Sequence, residues 1–132
     1  MITVEELLQR KGIIDAHTGE KEKVLRINSL KDAGFEDGEI KIKSLSKEIM
    51  NEINKLAVKN PQQATIEAVY EGVIEPKLSN DELQKAYNCF SPFDIVEKIF
   101  TPIEADRIAS QINIISGYAE GNKKIIEEIK NS

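Results

Sequence analysis

Val69-Tyr70-Glu71-Gly72-Val73-Ile74-Glu75-Pro76-Lys77-Leu78 is the stretch on which the reading of this chain turns. It closes a segment, residues 62 to 74, whose apolar positions fall at helical spacing: Ala64, Ala68 and Val69 on one set, Ile66, Tyr70, Val73 and Ile74 on another. Gly72 weakens that helix near its end. Pro76 forbids its continuation, because a ring in place of the backbone N–H removes a donor and clashes with the preceding turn. Beyond it three helix starts are written out. Ser79-Asn80-Asp81-Glu82 has the Ser-x-x-Glu form of a capping box, and Ser91-Pro92-Phe93-Asp94 puts a Ser cap before a proline at the first helical position. Thr101-Pro102-Ile103-Glu104 combines both devices. Residues 79 to 117 therefore read as three helices joined by tight corners, the last ending at Gly117. No catalytic constellation lies among them.

Working upstream, Ser44-Leu45-Ser46 offers caps for a helix to about Lys59, with Leu45, Ile49, Met50, Ile53, Leu56 and Ala57 on one face and Asn60-Pro61 as its stop. Glu39-Ile40-Lys41-Ile42-Lys43 alternates with period two, the pattern of a strand with one buried face. Lys23 to Ile27 is a second candidate strand, and the two are expected to form a small hairpin. Residues 2 to 11 predict a short amphipathic helix, Val4, Leu7 and Leu8 opposite Glu5, Glu6 and Arg10, ended by Gly12; Asp15 to Glu20 reads as a turn. Downstream, Gly117 and Gly121 bracket a hinge, and Asn122 to Lys130 predict a last short helix carrying Ile125, Ile126 and Ile129. The expected fold is mainly α: a compact bundle of short helices with a small β-hairpin element near the N-terminal third. One domain over residues 1–119 is expected, with the packing of 1–37 open and 120–132 as a short C-terminal helix or tail.

Composition bounds the function. The 132 residues suffice for one modest core. A net charge of −5 argues against a sequence-independent grip on nucleic acid, which needs a basic face to neutralise phosphate. No apolar run approaches the roughly 18 residues that span a bilayer, and Met1 to Glu6 lacks a basic, then apolar, leader, so a cytoplasmic protein without a membrane partner is expected. The single cysteine, Cys89, excludes an intrachain disulfide and fits a reducing compartment.

Candidate chemistry is thin. His17 is the only histidine, in a polar segment beside Asp15 and Thr18, and reads as an exposed loop residue. Cys89 reads as a small buried hydrophobe, since nothing around it marks an activated thiol. With one His and one Cys, zinc would need two carboxylates besides; no EF-hand spacing and no phosphate-binding glycine loop is present. No catalytic residue, cofactor or metal is expected. Interest moves to apolar surface: Ile103, Ile108, Ile112 and Ile115, with Ala105 and Ala109, make a strong stripe from Pro102 to Ser116, and Ile114 falls off it. That stripe is first a core face. Its surplus, Ile108, Ile112 and Ile115 together with Ile125, Ile126 and Ile129, is the candidate partner-binding set, suited to an amphipathic helix of another protein.

The passage Ile40 to Glu48, the Val69 to Leu78 run, the Ser91-Pro92 and Thr101-Pro102 helix starts and the close at Ile115-Ser116-Gly117-Tyr118 resemble phage tail assembly chaperones of the XkdN-like kind, over roughly residues 38 to 120. The resemblance implies a non-enzymatic protein of contractile-tailed phages and related prophage elements. Such a protein holds the tape measure protein dispersed and assembly-competent while tail tube subunits polymerise around it, in the host cytoplasm and absent from the mature virion. The tail tube protein is a second candidate partner, self-association is open, and a longer frameshifted form is common among such proteins. Tyr70, Gly72, Pro76, Pro92, Pro102 and Gly117 are then fold determinants. Two other classes compete: a structural tail subunit, which would stay in the particle, and a DNA-binding helical module, for which Arg107, Gln111 and Asn113 are the available readers.

Overall fold

The computed structural model describes residues 1–118 and residue 129. The helix expected over Asn122 to Lys130, with Ile125 and Ile126, lies outside the described residues. Among those described, eight helices surround a three-stranded sheet. In chain order they are α1 (Val4–Gln9), α2 (Lys11–Thr18), β1 (Glu22–Arg26), α3 (Asn28–Asp32), β2 (Glu39–Lys43), α4 (Lys47–Lys59), α5 (Pro61–Gly72), β3 (Val73–Glu75), α6 (Asp81–Ala86), α7 (Asp94–Ile99) and α8 (Pro102–Ile115).

α5 is the hub, packing against α4, α7 and α8. It can be approached so closely because it presents Ala64, Ala68 and Gly72 to the interior. At Gly72 a Cβ would stand 2.9 Å from Cγ1 and 3.2 Å from Cγ2 of Ile112, and closer still to its Cδ1, so glycine is required by contact with α8. Ile42, Met50, Val69, Leu78, Ile95, Val96, Ile108 and Ile112 are fully enclosed. Each such side chain contributes about 1.5–3 kcal/mol of apolar transfer free energy. Tyr70 adds an edge-to-face contact with Phe93, ring centroids 5.0 Å apart.

The β element is not the expected small hairpin but a three-stranded antiparallel sheet, whose first two strands pair across a connection that carries α3. β2 sits in the middle, antiparallel to β1 with Lys23 opposite Ile42 and Leu25 opposite Ile40, and antiparallel to β3 with Ile42 opposite Val73. β3 is the correction: Val73 and Ile74, read as the last turn of a helix, are extended. The helix stops at Gly72, and Val73 and Glu75 pair with Ile42 and Lys41 of β2, with a shift of register between the two pairs at Ile74. Helical and strand readings of a short apolar run cannot be separated by periodicity alone. The long β1–β2 connection holds α3 and returns at Gly38, φ +68°, where a Cβ would lie 2.8 Å from the Ile27 carbonyl oxygen.

Caps decide the remaining boundaries. Thr101 and Glu104 form the expected capping box, with Pro102 opening α8, and Gly117 follows its end at φ +82°. At α6 the cap is Asn80, whose side chain accepts from Leu83 N–H, and not Ser79. At α7 the helix starts at Asp94; Pro92 stays in the preceding turn, where the Asp94 carboxylate accepts from the N–H groups of Phe90 and Ser91. Pro76 follows a cis peptide bond from Glu75 and is exposed. The N-terminal segment also departs from expectation. α1 ends at Gln9, and a second helix then runs through Gly12 and through Asp15 to Thr18, the stretch read as a turn. An i,i+4 pair between Lys11 Nζ and Asp15 Oδ2, 2.9 Å, spans that helix.

Candidate functional surface

α8 is oriented by its neighbours so that Ala105, Ile108, Ala109 and Ile112 face inward. Ile108 is 1 % exposed and Ile112 is 0 % exposed, which corrects their place in the candidate partner-binding set: both are core residues, consumed by contact with α5 and the sheet. Ile115 is half-buried at the end of the helix, Ile103 is exposed at its start, and Ile129 is exposed. The structure thus brings together Ile108 and Ile112 in the interior and leaves Ile115 at its margin.

Among the described residues the exposed apolar surface lies elsewhere. No residue of α1 or α2 is buried. Val4, Leu7 and Leu8 recur at i, i+3 and i+4, and Ile13 and Ile14 follow on the next helix. Leu8 is 74 % exposed and Ile13 is 63 % exposed. Helices of six and eight residues are too short to persist on propensity alone, so local devices hold them. Thr3 Oγ1 accepts from Glu6 N–H at 3.1 Å, and the hydroxyl donates to the Glu6 carboxylate. At the other end Lys21 Nζ donates to the carbonyl oxygens of Ala16, His17 and Gly19 at 3.0, 2.7 and 3.2 Å. A cation there satisfies the open carbonyls and opposes the negative end of the helix dipole.

The foot of this arm is fixed to the body. Lys21 N–H donates to Ser44 Oγ and Ser44 N–H donates to the Lys21 carbonyl, both at 2.7 Å. Nearby, Leu45 N–H donates to Ser116 Oγ at 2.9 Å, tying the end of β2 to the end of α8. Between these ties opens a cleft of about 830 Å³ lined by His17, Thr18, Leu45, Ile114, Ile115 and Tyr118. The arm and the half-buried Ile115 therefore adjoin one concavity. A second cleft, of about 630 Å³, lies between β1 and α8 and includes Leu25, Ile27, Ile103 and Arg107. It is bridged at its ends by Lys23 Nζ donating to Gln111 Oε1 at 2.8 Å and by Ser29 Oγ donating to Glu104. Those bonds to Glu104, first that of Ser29 and then that of the Thr101 N–H, hold its carboxyl below the usual carboxylate range.

His17 is exposed on α2, not in a loop, and Cys89 is half-buried against the core. Among the described residues no group of three or more His, Cys, Asp or Glu side chains is placed to share a metal ion, and no helix is long and apolar enough to cross a membrane. Sequence reasoning predicts the first helix of the arm but misses the second, and with it the arm as a candidate surface. Its signals are the Thr3-Val4-Glu5-Glu6 cap and the Ile13-Ile14 pair just past Gly12, a glycine that reads as a stop.

Comparison with curated proteins and with solved structures returns no match. A family model does match, and it covers both the arm and the body, extending well upstream of the Ile40 to Tyr118 region that carries the sequence motifs. On that match over residues 4–130, the chain belongs to the XkdN-like phage tail assembly chaperone family.

Proposed function

We propose that this tail assembly chaperone binds the tape measure protein, keeps it dispersed and competent while the tail tube polymerises around it, and is released without catalysing a reaction. It does so in the host cytoplasm and leaves no copy in the finished virion. Family membership supplies the process, tail assembly. The observation that carries client binding is the N-terminal arm: Val4, Leu7, Leu8, Ile13 and Ile14 stay exposed on two helices that contain no buried residue.

A client made of long amphipathic helices offers apolar stripes that pair with such an arm in helix-to-helix fashion. Large exposed apolar surface otherwise drives self-association of the client, and covering it with a protein of net charge −5 keeps the complex dispersed. The proposed contact set is the arm, Ile115 in the cleft at its foot, and Ile125, Ile126 and Ile129 beyond. Ile108 and Ile112 leave that set because they are interior. Tail tube protein is the second candidate partner.

The test is co-expression with the tape measure protein of the same gene cluster, followed by pull-down and measurement of the soluble client fraction. The expected result is a client that becomes soluble and co-purifies. A client that stays insoluble and unbound beside a folded chaperone, and also beside a longer frameshifted form, refutes the reading.

A further inference from the structure

Among the described residues β1 is an edge strand, and its outer side is complementary to itself. In the β1–β2 ladder Ser44 N–H donates to Lys21 O and Ile27 N–H donates to Gly38 O. With the register Lys23 to Ile42 and Leu25 to Ile40 between them, residues 21, 23, 25 and 27 turn their backbone groups toward β2. Glu22, Val24 and Arg26 therefore direct theirs outward, away from the sheet. Only Leu25 of the strand is even half-buried, and no residue of α1 or α2 is buried against the edge. An exposed edge of this kind is a template for another strand unless charge or shape blocks it.

We infer that the occupant is β1 of a second copy, paired antiparallel about a two-fold axis at Val24, so that two three-stranded sheets join into one. In that register Glu22 meets the partner copy's Arg26, Val24 meets Val24, and Arg26 meets Glu22. All three are pairs of outward-directed backbone groups, so each forms a hydrogen-bonded pair. The side chains agree with the backbone. On the outer face the row Lys43, Glu22, Arg26, Glu39 runs across both copies with alternating sign, since Glu22 stands opposite Lys43 and Arg26 opposite Glu39 within each protomer. Arg26 Nη2 lies 3.4 Å from Glu39 Oε1, so that link of the row is already built, while Glu22 Oε1 lies 3.8 Å from the diagonal Lys41 Nζ and Lys43 Nζ lies 3.8 Å from Glu20. Val24, 52 % exposed, is covered by its own symmetry mate. On the inner face Lys23 stands over Leu25 of the other copy, where its aliphatic stem covers apolar surface, beside the cleft between β1 and α8 that leaves room for it.

Other registers lose this match. A parallel in-register pairing sets Glu22 against Glu22 and Arg26 against Arg26, and a two-residue slip leaves one charge opposite Val24. Exposed ion pairs add little affinity, and their effect is to select the register. A five-residue strand buries far less than a standard interface, so the association is weak and concentration-dependent.

The experiment is sedimentation velocity of the full chain from about 5 μM to about 0.5 mM, a span that brackets weak dimers. Wild type is expected to shift from monomer to dimer across it. Glu22→Arg and Arg26→Glu, each with unchanged circular dichroism, should stay monomeric alone because each sets like charges together at both ends of the strand pair. Mixed in equal amounts they should form a heterodimer, since the two arginines that one variant carries at positions 22 and 26 then face the two glutamates of the other. Wild type that remains monomeric throughout overturns the inference, and if the same substitutions then reduce client co-purification, the edge belongs to a client strand. Dimers that persist in both single variants overturn it as well.

Discussion

Gly72→Ala probes the α5–α8 contact on which the core depends. The added methyl would lie within 3.2 Å of three Ile112 side-chain carbons, with Ile112 itself fully enclosed and unable to swing into solvent. Overpacking of this kind costs about 1–3 kcal/mol. Against that stands the gain from removing a flexible glycine from a helix, about 0.5–1 kcal/mol, reduced here because Gly72 is the last residue of α5. The net expectation is a loss of roughly 1–2 kcal/mol. Ile112→Val deletes Cδ1, the atom nearest the new methyl, and alone should cost about 0.5–1.5 kcal/mol. In that background Gly72→Ala should cost less, because the nearest contact is gone while those to Cγ1 at 2.9 Å and Cγ2 at 3.2 Å remain, giving a favourable coupling of about 1 kcal/mol in a double-mutant cycle. Urea unfolding followed by circular dichroism, with the denaturant slope compared across the four proteins, measures it. Costs that simply add, within about 0.3–0.5 kcal/mol, would refute the claim that Gly72 is selected by its approach to Ile112.

Thr101→Ala removes the hydroxyl half of the α8 capping box and should destabilise by about 1 kcal/mol, with Glu104→Ala no worse than additive to it; thermal unfolding reads both. Ser29→Ala tests the tie between α3 and α8 through pH. Glu104 has its folded pKa depressed, so its contribution is present above the unfolded value and is lost as pH falls through the folded one. Wild type should therefore lose melting temperature between about pH 5 and pH 3 more steeply than Ser29→Ala does, and parallel curves would show that the bond is not formed in solution.

Where sequence devices are local, the fold is legible. Thr101-Pro102-Ile103-Glu104 predicts the start of α8 to the residue, and the alternation of Glu39 to Lys43 predicts β2 to the residue. The elements that differ from expectation depend on distant partners. Val73 and Ile74 keep helical spacing, and only β2 alongside makes them a strand. Ser79 and Asn80 are both good caps, and the chain's approach from Leu78, buried in the core, places Asn80 at the turn. The candidate surface is legible in kind but not in place. The apolar stripe in the sequence points to α8, where Ile108 and Ile112 prove to be enclosed by α5 and the sheet, whereas Leu7 and Leu8, on one side of an amphipathic helix, stay exposed. A stripe in sequence does not state whether the rest of the chain reaches it.

Replacing Leu7 and Leu8 together with Asp separates client binding from folding, because neither side chain is buried and surface changes of this sort alter stability by about 0.5 kcal/mol or less. The decisive measurement is the soluble, co-purifying fraction of tape measure protein with wild type and with this variant, at matched chaperone level and unchanged melting temperature. The account predicts that the client is soluble and bound with wild type and falls back to the pellet with the variant. Equal soluble client with both proteins would contradict it.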